Sequence, residues 1–256
     1  MTIDADSPLQ SGSRPDDDSP SSRRQQIAEA LRDTDTEIDD ACKSVGRDRA
    51  EVKLVAVTKN FPADDVVHLA RLGVTDVGEN RDQEAAAKAA EVARRAVEVR
   101  WHFVGRLQRN KARSVAEYAH LVQSVDRESL ARALDTAATR FDRRLGVLIQ
   151  ISLDGDRDRG GVVPGELSAL VDVVQNAASL SLEGVMAVAP KEWEPVRAFE
   201  ALAEHSQVVQ RLAPQATEIS AGMSGDFREA IACGATMVRL GAKLLGPRQD
   251  VGYPVR

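Results

Sequence analysis

Long apolar runs, an excess of basic charge and clustered cysteines are all missing from these 256 residues. No apolar stretch approaches the ~18 residues of a membrane-spanning helix, so none is predicted. Lys and Arg number 34 against 40 Asp and Glu, for a net charge of −6. That balance does not supply the concentrated basic face by which nucleic-acid binders engage phosphate. Two cysteines, Cys42 and Cys233, lie far apart and are too few for a zinc site; reduced thiols in a cytoplasmic protein are expected. The opening "MTIDADSPLQSGSRPDDDSPSS" lacks the charged start and apolar core of a signal peptide. Rich in Ser, Pro and Asp, it cannot bury enough apolar surface to offset its ordering entropy. Residues 1–22 are therefore expected to be a disordered tail and residues 23–256 one folded domain. No nucleic-acid or membrane partner is expected, and the protein is expected to be a monomer.

What the chain does contain is a rhythm. "RRQQIAEALRDTDTEIDDACKSVG" spaces Ile27, Leu31, Ile38, Ala41 and Val45 as one apolar face of a helix ended by Gly46. Short apolar runs then recur at 52–58, 74–78, 101–105, 120–125, 145–153, 180–188, 216–220 and 236–241. Each is followed by a helical or helix-length segment. Alternation of this kind implies parallel strands joined by crossover helices, in an α/β fold. An open doubly wound sheet and a closed (βα)8 TIM-type barrel both satisfy it. The first strand leads into no Gly-rich dinucleotide fingerprint, and the length suits a barrel of ~250 residues. A single barrel with one additional N-terminal helix is expected.

In a barrel, active sites gather where strands end and feed their loops. The first run, "LVAVTKN", ends on Lys59. A lysine in a partly desolvated pocket loses some preference for its charged form, and its neutral amine condenses with aldehydes to a Schiff base. Asn80 of "GEN", His102, Met186, Ser220 and Arg239 lie at or near other strand ends. Ser220, Gly222, Ser224 and Gly225 precede a helix near Asp226, and Gly241 precedes another at Ala242. Loops after the seventh and eighth strands commonly hold phosphate, because glycines allow close approach of backbone N–H groups at helix starts. A lysine that seeks aldehydes beside a phosphate cradle suggests pyridoxal 5′-phosphate (PLP). Taken singly, His102 reads as a packed strand histidine, Met186 and Met223 as core, Glu79 as structural, and "RLQRNKAR" as a solvated helix face. Trp193 is a candidate to cover the site.

"LVAVTKNFP", "GENRDQE", "WHFVGRLQRNK", "VQSVD", "VLIQISL", "GVMAV" and "EISAGMSGDFREAIACGATMVRLGAKLLG" together resemble the pyridoxal phosphate homeostasis protein family, from Leu54 to Gly246. The resemblance implies a barrel like the N-terminal domain of alanine racemase. It implies PLP held as a Schiff base on Lys59, with Asn80 in the pocket. Ser220 and the Gly241 backbone would contact the phosphate, and Arg239 would face the pyridine nitrogen. Met186, His102 and Met223 would line the pocket, and Ser224 and the Ala242 N–H would complete the contacts. Ala242 stands where the family commonly has threonine, which removes one hydroxyl donor worth ~1.5–3 kcal/mol. The family role is to carry or buffer PLP, with PLP-dependent apo-enzymes as recipients and no established turnover. A racemase-like PLP enzyme is the alternative, and a cofactor-free Schiff-base aldolase a third reading. Two features weigh against racemisation. The chain continues only fifteen residues beyond Gly241, which is expected to leave no room for the second domain that supplies a base. Its tyrosines are only Tyr118 and Tyr253, neither in a motif.

Overall fold

The protein is described here by a computed structural model, for residues 20–247. Eight short strands form its centre: β1 (Lys53–Val57), β2 (Asp76–Glu79), β3 (Arg100–Phe103), β4 (Leu121–Val125), β5 (Leu145–Gln150), β6 (Leu180–Met186), β7 (Glu218–Ser220) and β8 (Met237–Leu240). All neighbouring pairs are parallel, and β1 pairs with β8 from Lys53↔Met237 to Ala56↔Leu240. The sheet therefore closes on itself, as a barrel and not an open sheet. The strands are shorter than the apolar runs. Ala216 and Thr217, expected in the seventh strand, instead turn back, with N–H bonds to Ala213 and Gln215 carbonyls.

Around the barrel lie α1 (Pro20–Ser44), α2 (Ala63–Arg71), α3 (Asp82–Arg94), α4 (Ala112–Tyr118), α5 (Glu128–Arg140), α6 (Leu167–Gln175), α7 (Pro195–Leu212), α8 (Phe227–Ala232) and α9 (Ala242–Leu245). The additional helix α1 starts three residues earlier than expected, since Pro20, Ser21 and Ser22 belong to it. Proline suits a helix start, where its missing N–H would have no intrahelical partner. The rest of the expected tail, residues 1–19, lies outside the described residues. Val45, assigned above to the apolar face of this helix, falls in the turn beyond it and is 41% exposed.

Helix α1 covers the seam where the last strand meets the first. Ile27, Ile38 and Cys42 pack with Val66, Leu69, Phe227 and Leu244. Arg23 pairs with Asp65 of α2 at 2.6 Å and bonds the Leu245 carbonyl. Glu37 binds Lys243 and Arg228. Ile27 and Ile38, fully buried, contribute ~2 kcal/mol each. That exceeds what partly exposed ion pairs add, about 0–1 kcal/mol. No described helix is long and apolar enough to cross a membrane.

Alternate strand residues point into the barrel or out to the helices. The outward set forms two large apolar layers with the helices. The inward apolar set is small: Val55, Leu121, Leu148, Met186 and Met237. The remaining interior is polar. On β6 a bulge opposite Val147 and Leu148 brings Gly184 against β7, where a Cβ would stand 1.9 Å from the Glu218 carbonyl oxygen. Backbone cannot yield there without breaking the β6–β7 ladder. Gly184→Ala should lower unfolding stability by about 3 kcal/mol. Urea denaturation measures it, and an unchanged midpoint would contradict this packing.

Candidate functional site

The inward residues two apart along each strand rise in layers toward the C-terminal ends. Val55, Val57 and Lys59 make one such column; Asp76, Gly78 and Asn80 another; Met237, Arg239 and Gly241 a third. Their tops enclose a cavity of ≈ 430 Å³ lined by Lys59, Asn80, Met186, Met223, Ser224, Arg239, Gly241 and Ala242, together with apolar Val57, Phe61, Val104 and Val188. Met186, 2% exposed, belongs both to this lining and to the barrel interior, so it forms the floor. Val188 and Met223, about two-fifths exposed, form part of the rim. Among the described residues, the charged side chains of the lining are those of Lys59 and Arg239, both basic.

Gly241 is required by close approach. A Cβ there would lie 2.9 Å from the Val57 carbonyl oxygen, so only glycine lets the end of β8 lie against the end of β1 beside Lys59. The next residues start α9, where the first N–H groups of a helix have no intrahelical acceptor. Ser224 and Gly225, in the loop before α8, face the same cavity.

Two expected contacts, Ser220 and His102, sit one layer lower and do not line the cavity. They belong to a buried polar string. Arg239 Nη1 donates to Ser220 Oγ at 2.7 Å, and Ser220 Oγ donates to Gln123 Oε1 at 2.7 Å. Gln123 Nε2 then donates to His102 Nδ1 at 2.8 Å, which leaves His102 Nε2–H to donate to Asp76 Oδ1 at 2.8 Å. Every donor points the same way, from the cavity floor to the far end of β2. Arg239 Nη2 also donates to the Ala187 carbonyl at 2.9 Å. Burial lowers the Arg239 guanidinium to about 10, with Asp226 opposing, so it stays a cation at neutral pH. Gln123 was missed by sequence reading. Its signal was an amide in the middle of an apolar strand.

At the other end of the string, burial pushes the Asp76 carboxyl up. Hydrogen bonds from His102 and Thr75, with the charge of Arg100, outweigh it and hold the carboxyl below its usual range. A depressed carboxyl adds stability that is full above its unfolded-chain value, ~3.9, and lost as pH falls through the folded value. Asp76→Asn should therefore flatten the loss of stability below pH ~4, measured by urea midpoints across pH. An acid limb as steep as wild type would show that Asp76 carries none of it.

Glu79 of "GEN" faces outward, toward α3, and bonds Thr58 Oγ1 and Lys88. Trp193 does not line the cavity; its ring carries the Arg197 guanidinium at 4.1 Å. A larger cleft of ≈ 1180 Å³ adjoins the cavity at Asn80. Charges of both signs line it, among them Arg81, Arg106, Lys111, Arg127, Asp82, Asp126 and Glu128, so it favours no one charge. Arg106 and Lys111 of "RLQRNKAR" border this cleft, and Arg106, Arg109 and Arg113 are exposed, in keeping with the solvated face expected of that stretch.

Residues 40–249 match the family model described as alanine racemase, N-terminal domain. The pyridoxal phosphate homeostasis protein of Mycobacterium tuberculosis is 43% identical over 244 residues, spanning 89% of this chain and 95% of the relative. PipY of Synechococcus elongatus, solved with PLP bound, superposes with a TM-score of 0.76 at 33% identity. That match covers 86% of this chain and all of PipY. Alanine racemase from Corynebacterium glutamicum has the same fold, with a TM-score of 0.66 at 16% identity over 91% of this chain and 64% of the racemase. A closed eight-stranded barrel of this kind, with near-complete coverage of relatives that share two-fifths of its residues, belongs to the pyridoxal phosphate homeostasis protein family.

Proposed function

We propose that this protein binds PLP as a Schiff base on Lys59 and acts as an intracellular carrier or buffer of that cofactor. One observation carries the reading: the cavity gathers a strand-end amine, a buried guanidinium and two glycine-containing loops. Its volume lies within the ~300–1,000 Å³ of small-molecule sites. The donor set fits an anionic aromatic aldehyde. When bound, PLP supplies an aldehyde carbon that condenses with an amine, releasing water.

The chain's residues take distinct roles in this reading. Lys59 provides the amine. Ser224 and the backbone N–H groups at Gly241 and Ala242 receive the phosphate. Ala242 offers no hydroxyl, so its contribution is the backbone alone. Asn80, Met186 and Met223 would line the space for the ring. Arg239 would face the ring nitrogen; its guanidinium has only donors, so it would supply no carboxylate to hold a proton there and would weaken the ring as an electron sink. Ser220 acts through Arg239, since its hydroxyl is already engaged with Gln123. His102 acts further back along the same string.

The carrier reading is supported over a racemase-like one. Relatives bear homeostasis names, and likeness to alanine racemase at 16% identity concerns the fold alone. Among the described residues no tyrosine lines the cavity. Tyr118 packs edge-on against Trp101, and burial raises its phenol far above the usual range. Cytoplasmic location, a monomeric state and delivery to PLP-dependent apo-enzymes complete the proposal. The test is a visible absorption spectrum of the protein with PLP, followed by borohydride and peptide mapping. A reduced pyridoxyl group on the Lys59 peptide is expected; a label only on other lysines would overturn the assignment.

A further inference from the structure

Lys59 is held from behind by charged side chains that take no part in lining the cavity. Because strand side chains alternate, Asn80 points in and Glu79 points out, onto α3. There Glu79 Oε1 accepts from Thr58 Oγ1 and from Lys88 Nζ, both at 2.6 Å. Lys88 Nζ also donates to Glu84 Oε1 at 3.1 Å and to the Thr58 carbonyl at 2.8 Å. The three donors of the ammonium thus meet three acceptors. Glu84 Oε1 in turn accepts the Asn60 N–H at 2.5 Å. The side chains of Glu79, Glu84 and Lys88 are only 0%, 5% and 3% exposed.

The placement of these bonds along the chain is what matters. The Thr58 carbonyl belongs to the peptide unit before the Lys59 Cα, and the Asn60 N–H to the unit after it. Both planes that determine φ and ψ of Lys59 are therefore tied to α3. Asn60 then turns the chain away in a left-handed conformation at φ 65°, which asparagine tolerates better than most residues. A buried group of three charges is weak as a source of stability, because well-packed apolar side chains in its place are often as stable or more so. Burial raises the Glu79 carboxyl despite the adjacent Lys88, in keeping with the cost of placing charge here. What apolar packing cannot do is hold one particular carbonyl and one particular N–H.

We infer that Glu79, Lys88 and Glu84 form a clamp whose role is to orient Lys59, so that its amine enters the cavity at the angle an aldehyde requires. They are positioning residues, acting through the backbone. The inference rests on Lys59 being the reactive amine of the function proposed above.

Glu84 offers a clean pair of variants in the full-length protein. Glu84→Gln keeps an oxygen for the Asn60 N–H, and Glu84→Leu removes it. The probe is PLP at fixed concentration, with borohydride trapping on the Lys59 peptide timed by mass spectrometry. Exchange of the Asn60 amide is followed by NMR. Leu134→Ala, at a fully buried position of α5 remote from the clamp, is a control for general loss of stability. We expect trapping on Lys59 to slow about tenfold or more in Glu84→Leu, because small misplacements of a reacting group cost up to ~100-fold. Glu84→Gln should remain within about twofold of wild type, and Leu134→Ala likewise. Asn60 exchange should accelerate in Glu84→Leu alone. Equal trapping in Glu84→Leu and wild type would overturn the clamp, as would equal slowing in Leu134→Ala. If wild type carried its label elsewhere, the PLP assignment would fall by itself. Amide exchange would then decide the clamp: protection lost in Glu84→Leu and kept in Glu84→Gln supports it, and unchanged protection refutes it.

Discussion

Lys59→Ala should abolish covalent retention of PLP while leaving the barrel folded. Lys59 is half-buried and follows β1. The peptide units on both sides of it are tied through main-chain atoms and not through its ammonium. Truncation of a half-buried side chain that follows a strand costs about 1 kcal/mol. The chemical consequence is absolute, because an alanine methyl cannot condense with an aldehyde. The protein should therefore lose its visible absorbance with PLP and any borohydride-stable label. Residual affinity should remain, from Arg239 and the phosphate loops. A ligand that binds the native state alone raises the melting temperature according to its occupancy. PLP should thus raise melting strongly for wild type and weakly for the variant. Two results would count against the site: retained covalent label in Lys59→Ala, or collapse of the ligand-free fold.

Substitutions at Arg239 should affect both stability and affinity, in a definite order. The guanidinium bonds Ser220 and the Ala187 carbonyl inside the barrel. Arg239→Lys retains the charge but replaces a planar fork with a point donor, so one acceptor is lost. Arg239→Met leaves both acceptors without this donor while filling the volume. A buried acceptor without a partner costs about 1–3 kcal/mol, so a loss of ~2–4 kcal/mol is expected. Arg239→Glu should be worst, at ~3–5 kcal/mol, because a buried carboxylate would then face the Ala187 carbonyl. Urea denaturation of the ligand-free proteins gives the order Arg, Lys, Met, Glu. PLP titration should follow the same order, because in the proposed site the string would also aim the guanidinium at the ring. The variant that retains PLP with a carboxylate at this position has a further use. It can hold the ring nitrogen protonated, and should then exchange the α-proton of bound amino acids faster than wild type at equal occupancy, by NMR. A glutamate variant as stable as wild type would show that the string does not set the native barrel.

The order of elements was readable without coordinates. Eight apolar runs separated by helix-length segments admit a barrel, and a strand-end lysine with glycines after the last two strands locates a cavity. Lys59, Arg239, Ser224, Gly241 and Ala242 were legible as residues near one end of the barrel, and all of them line the cavity. The same alternation could have told that Glu79, adjacent to inward Asn80, turns outward to α3. Apolar pocket walls such as Val57 and Val104 were not legible. Nothing in their chemistry separates them from core.

Tertiary structure alone decided depth. Ser220 and Arg239 lie on neighbouring strands, and their sequence positions give no height along the barrel axis. Height depends on strand stagger, which is a property of closure and not of any one strand. That stagger places Ser220 and His102 a layer below the cavity, so their polar atoms bond one another, Gln123, Asp76 and Arg239. Closure likewise decided between barrel and open sheet, because β1 and β8 are paired by residues 184 positions apart. Local periodicity determines that each strand has an inside and an outside. Only the assembled barrel determines what each inward side chain meets there.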